Sequence, residues 1–546
     1  MKNNMHKIKS FYTSILLIAI IGVAGSSCDD LLREEPRSFY SSNNFFQTVE
    51  QANMAVIGVY DLLGTTKLYG QVVSTIFPTD TDLAQIKGTG DDGSKRSIGH
   101  YTSHPSISMF RDAWSYYYSA IERANYAIDN MSKMELLKSG SDEEKATLSQ
   151  YIGEVKFLRA LCYFDLVRLW GDVPFKITPT YVGEELNLPR TDRELIYDQI
   201  IADLDYAKAV LPWSSETALN ERVTQGAARG YLVRVLMGRA GYSLKTDGQM
   251  TRPDNYLDYF KRAALEADTI VKSGEHYLNQ SFEEVFRNYA EGKLEPAESM
   301  FEIAFAPMGA DAENGGFIST YIGPLTHQSS SYGRANAFIN AMWPFYDSYA
   351  LDDARREIAI ADYEVKADDS KKYYTKNSDK HKIFPGKWRR EWNSSDPLYT
   401  NETDVNWVLL RYSDILLMYA EAINETRNDL PGTLTMEDAF EAVRLVRERA
   451  DQDGWETTLS QDDFRNNMVQ ERAWELCYEG WRKWDLIRWN KLGEKIQEAG
   501  QVAKAIREAY PYPAMDNFQS GKHELYPIPQ RDMDVNTALV QQNPGY

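Results

Sequence analysis

The stretch that decides the fold runs from Asp463 to Leu492 and reads DFRNNMVQERAWELCYEGWRKWDLIRWNKL. Apolar side chains recur at steps of three and four residues on both sides of Gly480, which predicts two helices joined at that glycine. Glycine at this position suits a left-handed cap at the end of the first helix. The apolar side of the second helix is expected to consist of Trp481, Trp484, Ile487 and Leu492.

Charged residues are concentrated in the same stretch. Glu471, Glu475 and Glu479 follow one another at four-residue steps. Such a column of like charges is destabilising unless cations lie between the carboxylates. The charged neighbours that complete the set are Arg472, Arg482, Asp485 and Arg488. We therefore expect a partly buried ion network with a structural role. The alternative is a catalytic pair of carboxylates such as Glu471 with Glu475, as glycoside hydrolases use.

Length and charge limit the classes of function. The chain has 546 residues with 80 acidic and 60 basic side chains, which gives a formal net charge of −20. Length alone would suggest three or four domains. No basic stripe is present to neutralise phosphates, so we expect no nucleic-acid partner. The 35 tyrosines and 12 tryptophans supply a large core and leave rings available for stacking on a ligand.

Residues 1–27 predict a lipoprotein signal peptide. Basic residues precede an apolar run from Ile15 to Val23, which is too short to span a bilayer as a mature helix. Small residues then lead to Cys28, which predicts cleavage before Cys28 and its diacylation. The alternative is an ordinary secretory signal with an incidental cysteine, because Gly25 stands where lipoprotein signals usually have leucine. With no later membrane span in the sequence, we expect an anchored protein.

The remaining cysteines and the acidic loop residues allow few metal or redox sites. Cys162 and Cys477 each lie in an amphipathic helix and are expected to be small buried residues, although a disulfide between them is left open. Histidines and cysteines show no zinc spacing. A possible calcium site remains as a hypothesis, because four carboxylates share one loop-rich region: Asp80, Asp82, Asp91 and Asp92. No other cofactor is expected.

The segment Gly88 to Gly93 matches the spacing G-x-G-x-x-G but lacks the context of a nucleotide site. Phosphate binding requires a preceding buried strand and a following helix whose N-terminus attracts the anion. Here Asp91 and Asp92 would repel phosphate, and Ser94 to His100 is not a convincing apolar helix. The sequence therefore predicts a surface loop.

The periodicity predicts a mostly α-helical chain interrupted once. Helical patterns cover about 44–275 and 407–492, and residues 493–546 form a C-terminal tail. Between them, about 276–406, glycine, proline and serine increase and the helical pattern is lost. Ser299 to Ala306 alternates like a strand, so this loop-rich insertion carries minor β structure. Within it, Phe384 to Trp392 (FPGKWRREW) is expected to be an exposed aromatic and basic cluster.

Three motifs in order resemble the SusD/RagB family. Glu471 to Trp489 matches E-R-x-x-E-L-x-x-E-G-x-R-x-x-D-L-x-R-W, and Trp407 to Glu425 (WVLLRYSDILLMYAEAINE) is similar to a second family helix. The chain closes on LYPIP from Leu525 and QNPGY from Gln542, like the family's C-terminus. The resemblance spans the mature chain and implies one domain, 28–546, with helix pairs like those of tetratricopeptide repeats (TPR-like). It also implies that Trp388 belongs to the core, because a K-[YW] pair after a D-x-R segment recurs in the family.

The resemblance also implies a role. Proteins of this family are surface-exposed, lipid-anchored proteins of the outer membrane. They cover a SusC-like TonB-dependent transporter and capture oligosaccharides, or in some members peptides, for uptake without catalysis. Asp29 and Asp30 resemble the family's surface-export tag. Three alternatives remain open: a RagB-like peptide-binding lid, a surface-anchored glycoside hydrolase using Asp80 with Asp82 or Glu471 with Glu475, and a scaffold that binds only protein.

Two loop-rich regions, 65–108 and 309–345, are expected to share a ligand-binding face. Sugar recognition requires flat rings for the apolar sugar faces and polar side chains for the hydroxyls. The first region offers Tyr69, Lys87, Arg96 and Tyr101, and the second offers Tyr332, Asn336, Asn340 and Trp343. For each aromatic residue the alternative is packing beneath its own loop.

Overall fold

The computed structural model describes residues 45–218, 221–295, 297–305, 315–393 and 402–546. The predicted signal peptide, the predicted lipidation site at Cys28 and the acidic pair after it lie outside these residues. None of the described helices combines the length and apolar character needed to cross a membrane.

The first half of the described chain is mainly helical. Its helices are α1 (Val49–Leu63), α2 (Lys95–Gly99), α3 (Ser108–Lys133), α4 (Glu135–Ser139), α5 (Asp142–Trp170), α6 (Arg193–Val210), α7 (Gln225–Ala240) and α8 (Tyr256–Ser273), with a π-helix at Val72–Ile76, a 3-10 helix at Ser214–Glu216, and strands β1 (Ala84–Ile86), β2 (Ser243–Leu244) and β3 (Met250–Thr251). Long helices pack on their neighbours in sequence: α3 on α5, α5 on α6, α6 on α7, and α7 on α8. This arrangement is the predicted mostly α, helix-pair scaffold.

Local sequence explains where these helices begin and how closely they approach. Ser141 and Glu144 form a reciprocal capping box at the start of α5. The helix ends at Gly171, whose φ of 78° favours glycine. On α7, a Cβ at Gly230 would lie 2.6 Å from Leu410 Cδ2. The small residues of α7 thus allow the C-terminal half of the chain to pack directly against the helix backbone.

The insertion contains short helices and antiparallel two-stranded ribbons. Its elements are α9 (Phe282–Ala290), β4 (Ser299–Ile303), α10 (Ile318–Tyr321), β5 (Ile339–Ala341), α11 (Trp343–Asp347), α12 (Arg356–Ala359), β6 (Ile360–Ala361), β7 (Tyr363–Val365), β8 (Lys371–Tyr373) and β9 (Phe384–Pro385), with 3-10 turns at Asn377–Lys382 and Arg390–Trp392. The described strands pair as β1–β5, β2–β3, β6–β9 and β7–β8, and β4 pairs with β10 (Trp407–Arg411).

The C-terminal region returns to helices, with boundaries that differ from the prediction. It comprises α13 (Tyr412–Glu425), α14 (Met436–Glu448), α15 (Gln461–Leu476), α16 (Arg482–Arg488), α17 (Leu492–Ile506), α18 (Pro513–Asn517) and α19 (Gln530–Val535). The predicted helix from Trp407 begins only at Tyr412, because WVLLR is the strand paired with β4. The predicted second helix ends at Arg488, and Leu492 begins α17.

Gly480 lies in the connection between α15 and α16, as the prediction of a joint at this glycine requires. The prediction that Gly480 caps the first helix is wrong, because that helix ends four residues earlier, at Leu476, with Cys477 as its cap. Gly480 has a φ of 84°, and a Cβ there would lie 2.9 Å from Trp407 Cζ2. Both the backbone conformation and the close indole ring therefore require glycine.

The C-terminal tail fastens the end of α5. Trp170 donates from Nε1 to the carbonyl of Pro527 at 3.0 Å. Asn543 donates from Nδ2 to the carbonyls of Trp170 at 3.0 Å and Tyr526 at 2.7 Å. The LYPIP and QNPGY motifs thus hold the C-terminal tail against the end of α5.

The seven charged residues predicted to form a network between Glu471 and Arg488 lie in a buried ion network. Glu475 pairs with Arg355 at 3.3 Å, with Arg411 at 2.8 Å and with Arg449. Burial raises the pKa of a carboxyl, but these guanidinium groups outweigh it and hold the pKa of Glu475 well below its usual range. The other pairs are Glu471 with Arg355 and Arg447, Glu479 with Lys387 and Arg411, Arg472 with Asp414 and Asp485, Arg488 with Glu421 and Asp485, and Arg482 with Asp82.

The cluster FPGKWRREW was predicted to be exposed, and this is wrong. Lys387 has no exposed surface and donates to Glu479 at 2.6 Å. Trp388, which the resemblance assigned to the core, is 1% exposed as expected and stacks on Trp407 with the ring centroids 5.5 Å apart. A local aromatic and basic composition is typical of a surface, but here Lys387 pairs with Glu479 inside the core, and Arg389 and Arg390 donate to the carbonyls of Gly386 and Tyr332.

The cysteines within the described residues are free and buried. Cys162 and Cys477 therefore form no disulfide, and each fills a small apolar position. Burial raises the pKa of both thiols.

Candidate ligand-binding face

The two loop-rich regions meet through a pair of strands. β1 and β5 are antiparallel, with Ala84 opposite Ala341 and Ile86 opposite Ile339. The pairing continues outward, because the Lys87 amide donates to the carbonyl of Phe338 at 2.9 Å. Residues separated by about 250 positions thus lie on one face, which we call the loop face.

An aromatic–lysine cluster, formed by Lys95, Phe317, Tyr321 and Phe338, lies beside this ribbon. The rings of Tyr321 and Phe338 stack with centroids 5.1 Å apart, and Phe317 meets Tyr321 edge-on at 5.0 Å. Lys95 Nζ donates to the Tyr321 hydroxyl at 2.6 Å and lies 4.7 Å from that ring's centroid. Phe317 and Phe338 are half-buried and Tyr321 is 7% exposed, so two partly exposed rings and the Lys95 ammonium are combined at one surface position.

The loop that carries Lys95 is ordered by its two aspartates. Asp91 accepts from the Gly93 amide at 2.8 Å and from the Ser97 hydroxyl, and these bonds lower the pKa of Asp91. Asp92 accepts from the amides of Ser94 and Arg96, each at 2.9 Å. Although burial opposes its ionisation, these donors lower the pKa of Asp92 as well. The carboxylates thus act as turn caps of a surface loop, which is unsuited to phosphate.

The floor of the loop face is a buried histidine–aspartate pair. His100 Nδ1 lies 2.7 Å from Asp80 Oδ2, and its Nε2 lies 2.9 Å from the carbonyl of Gly88. Both neighbours are acceptors, so the doubly protonated ring satisfies both contacts. Burial works against the charge, but the hydrogen bond to Asp80 outweighs it and raises the pKa of His100. The other Asp80 oxygen accepts from the Ile86 amide at 2.7 Å, which ties the pair to β1.

Three of the eight predicted ligand residues are buried, and their assignment to a ligand site is wrong. Tyr69 is 1% exposed and donates to Asp165. Tyr101 is 4% exposed and donates to the Asp80 carbonyl at 2.7 Å. Asn340 is 5% exposed and faces the carbonyl of Ile383 at 3.3 Å. These side chains support the loops from below. For Tyr69 and Tyr101 this is the stated alternative, in which the ring packs beneath its own loop.

The other five predicted residues lie at the surface, at different distances from the cluster. Lys87 is exposed next to Phe338, and Arg96 is partly exposed next to Lys95. The Asn336 amide bonds the carbonyl of Thr320 at 2.9 Å, beside Tyr321. Tyr332 packs instead against the small group around β7. Trp343 lies beyond the other end of β5, where Lys380 Nζ is 4.5 Å from its ring centroid.

None of the four members of the aromatic–lysine cluster was among the predicted ligand residues, although Lys95 lies beside the predicted Arg96. Their spacing along the chain carries no signal, since Phe338 meets Tyr321 only through the fold. The i, i+4 spacing of Phe317 and Tyr321 is the one local hint of a shared surface.

The four aspartates of the calcium hypothesis do not converge. Asp80 binds His100, and Asp82 pairs with Arg482. Asp91 and Asp92 cap the loop above. Across the described ranges, no group of three or more potential protein ligands is placed to hold a metal ion. The calcium hypothesis therefore has no support from these side chains.

The carboxylate pairs proposed for hydrolysis are unsuited to contact a substrate. Glu471 and Glu475 have no exposed side-chain surface, and each is held by at least two arginines. Asp80 is fully buried against His100. A glycoside hydrolase requires two carboxyl groups facing an open cleft, which neither pair provides.

A second concave region lies away from the loop face. A groove of about 670 Å³ runs between α3, residues 174–188 and α19. Two of its polar side chains are bonded to the backbone: the Tyr118 hydroxyl donates to the carbonyl of Pro174 at 2.7 Å, and Asn125 Nδ2 donates to the carbonyl of Lys176 at 3.0 Å. Leu186 projects from its wall and is 66% exposed.

Comparison with known proteins places the whole chain among relatives of one kind. Residues 340–546 match the family model described as the SusD family, and residues 77–237 match a model described as starch-binding, associating with the outer membrane. SusD-like protein P25 of Formosa agariphila is 26% identical over 560 residues, covering 95% of this chain and 97% of that protein.

Solved structures agree in fold. A SusD homolog from Bacteroides thetaiotaomicron superposes with a TM-score of 0.83 at 28% identity, covering 92% of this chain and 98% of the homolog. Surface glycan-binding protein A of the same organism, in complex with laminarihexaose, has a TM-score of 0.70 at 22% identity, covering 91% and 100%. The second likeness concerns the fold alone.

Proposed function

The chain belongs to the SusD/RagB family, and from this premise we propose that it is a non-catalytic binding protein for oligosaccharides. The observation that carries the proposal is the β1–β5 pairing, which brings Lys87, Lys95 and Phe338 onto one face. Rings of the aromatic–lysine cluster supply apolar surface for a sugar face. Lys87, Lys95 and Arg96 supply donors for hydroxyl groups. The relatives' names, including the complex with laminarihexaose, support a glycan as the ligand class.

The cellular context is part of the same proposal. We propose that Cys28 is lipidated, that the protein faces the cell exterior at the outer membrane, and that it delivers its ligand to a SusC-like TonB-dependent transporter. The family model that matches residues 77–237 is described as associating with the outer membrane, which supports this location. Substituting Cys28→Ala should release the protein from membranes, and affinity purification from native membranes should recover a transporter with the wild type. Recovery of the wild type in the soluble fraction would contradict the anchor.

The binding proposal is tested by calorimetric titration of the full-length protein with neutral and charged oligosaccharides and with peptides. Product release is measured in the same samples. We expect one glycan class to bind without turnover. Turnover would overturn the non-catalytic assignment, and binding of peptides alone would favour the RagB-like alternative.

Variants of the cluster locate the site. Phe338→Ala removes a ring worth about 1–2 kcal/mol of contact, so we expect roughly a 5- to 30-fold loss of affinity. Lys95→Met should weaken binding by about tenfold, because it removes the donor beside Tyr321. Lys272→Met, an exposed lysine in the last turn of α8, is the matched control and should bind like the wild type. Wild-type affinity in both cluster variants would place the site elsewhere.

A further inference from the structure

A cavity of about 70 Å³ lies where α5, α6 and α7 meet α16, away from the loop face. Roughly 10–15 Å³ accommodates one water molecule, so the cavity has room for a small ion with several waters. Much of its wall is apolar, formed by Phe164, Val167, Met237, Met418, Ile487 and Leu525.

Two buried donors on this wall have no acceptor within the described part of the chain. They are Arg193 Nη2 and Trp484 Nε1. Arg193 is 2% exposed and already uses its Nε on Asp172 at 2.7 Å, and Trp484 is 8% exposed. An unsatisfied buried donor lowers the stability of the fold by about 1–3 kcal/mol, so an acceptor bound in the cavity would be stabilising.

The carboxyl groups of the lining accept from other donors. Asp485 receives Arg472 at 2.9 Å on one oxygen and Arg488 at 2.8 Å on the other. Glu524 receives the Ser520 hydroxyl at 3.0 Å and the Gly521 amide at 2.9 Å. Neither carboxyl group accepts from Arg193 Nη2 or Trp484 Nε1. An anion only accepts, and it can therefore take both N–H groups at once.

Positive side chains outnumber negative ones on the wall of the cavity. Five arginines line the cavity against two acidic residues: Arg168, Arg193, Arg234, Arg472 and Arg488 against Asp485 and Glu524. Burial also raises the pKa of Glu524, which weakens its negative charge. Other carboxylates that pair with these arginines, such as Asp165 and Asp414, are outside the lining. Each of the five arginines is also paired with a carboxylate, so the two free donors, and not a net positive charge, favour an anion in the cavity.

Two indole rings hold the arginines in place. The Arg168 guanidinium lies 5.1 Å from the ring centroid of Trp481 and 4.7 Å from that of Trp484. Arg234 lies 3.7 Å from the Trp481 centroid. Stacking fixes the guanidinium planes without consuming their N–H groups, which leaves the site preorganised.

We propose that this cavity binds a small monovalent inorganic anion of halide size, chloride in the cell, held by Arg193 Nη2 and Trp484 Nε1. The anion joins the N-terminal helices to the start of α16 and stabilises the fold. It is independent of the ligand at the loop face.

Bromide is the probe in the direct test. Crystals of the full-length protein grown without halide are soaked in sodium bromide, and data are collected at the bromine absorption edge. An anomalous peak within hydrogen-bonding reach of both donors is expected. A cavity that holds only water density, with no anomalous peak, would overturn the proposal.

Solution measurements separate a specific site from general salt effects. Thermal unfolding is followed in sodium bromide and in sodium gluconate at equal ionic strength, and a saturable rise in Tm with bromide is expected. Trp484→Phe keeps the ring but removes the N–H, and should raise the half-saturating bromide concentration about tenfold.

The matched control is Trp455→Phe, whose ring packs on Phe464 at 4.9 Å, away from the cavity. It should respond to bromide like the wild type. An equal bromide response in both variants would contradict the assignment of the N–H donor. If Trp484→Phe does not fold, the wild-type anomalous data decide alone.

Discussion

Neutralising Glu475 should destabilise this protein more than any exposed charge substitution. Its carboxylate has no exposed side-chain surface and lies between Arg355, Arg411 and Arg449. Glu475→Gln keeps the shape but leaves three guanidinium groups with one anion fewer. Removing one partner from a buried ion pair costs about 3–5 kcal/mol, and we expect a loss in this range.

The expected change in Tm follows from chain length. At roughly 2.1 cal/mol/K per residue, a chain of 546 residues has an unfolding entropy of about 1 kcal/mol/K, so 3–5 kcal/mol lowers Tm by about 3–5 °C. Urea unfolding followed by circular dichroism measures the free energy directly. Glu441→Gln is the control, because Glu441 pairs with Arg444 on the exposed side of α14 and should cost less than about 1 kcal/mol.

The pH dependence of the same variant gives a second readout. The folded pKa of Glu475 is lowered from its ordinary 4.5, so its contribution is present above pH 4.5 and is lost as pH falls through the folded pKa. Below pH 4 the difference between the wild type and Glu475→Gln should therefore shrink. A loss of stability equal to that of Glu441→Gln at pH 7 would refute the network as a stabilising element.

Three further perturbations probe the fold and the loop face. The folded pKa of His100 is raised above 6.5, so its contribution to stability is complete below pH 6.5 and is lost as pH rises through the raised value. The protection factors of the β1 amides, which correct for the intrinsic exchange rate, should fall over that range. His100→Gln should abolish this pH dependence. Gly480→Ala forces a φ of 84° on alanine and a contact with Trp407, and should cost about 1–3 kcal/mol in urea unfolding; an unchanged midpoint would contradict this. Burial lowers the pKa of Lys483 to about 7, so the wild type loses stability as pH falls from 10.5 to 7. Lys483→Met should therefore be more stable than the wild type by about 1–4 kcal/mol at pH 6 and by less at pH 9. A variant that is less stable than the wild type at pH 6 would contradict this prediction.

The loop face and the buried network depend on each other through short connections. Arg482 follows the network helix and pairs with Asp82, two residues before β1. Tyr478, in the connection between α15 and α16, donates to the carbonyl of Leu83 at 3.2 Å. The buried ion network thus supports the strand that brings the two loop regions together, which is how a rigid scaffold positions a loop surface.

The sequence by itself determined the class of the molecule and its framework. Apolar periodicity predicted the mostly α scaffold and the interrupting insertion, because amphipathic helices carry their packing face in their own spacing. The carboxylate column Glu471, Glu475 and Glu479 predicted a charged network, since like charges one turn apart require cations. Three long motifs in order were sufficient to indicate the family.

Only the tertiary structure decided which cations and which aromatic rings take part. Arg355, Arg411 and Lys387 come from other elements, and nothing in their local sequence distinguishes them from surface cations. The same is true of Tyr321 and Phe338, which stack beside the β1–β5 ribbon, and of Tyr69 and Tyr101, which are buried although they lie in loop-rich sequence. Local spacing encodes contacts within one helix or strand, whereas a site built from loops is encoded by long-range packing that no single stretch of sequence contains.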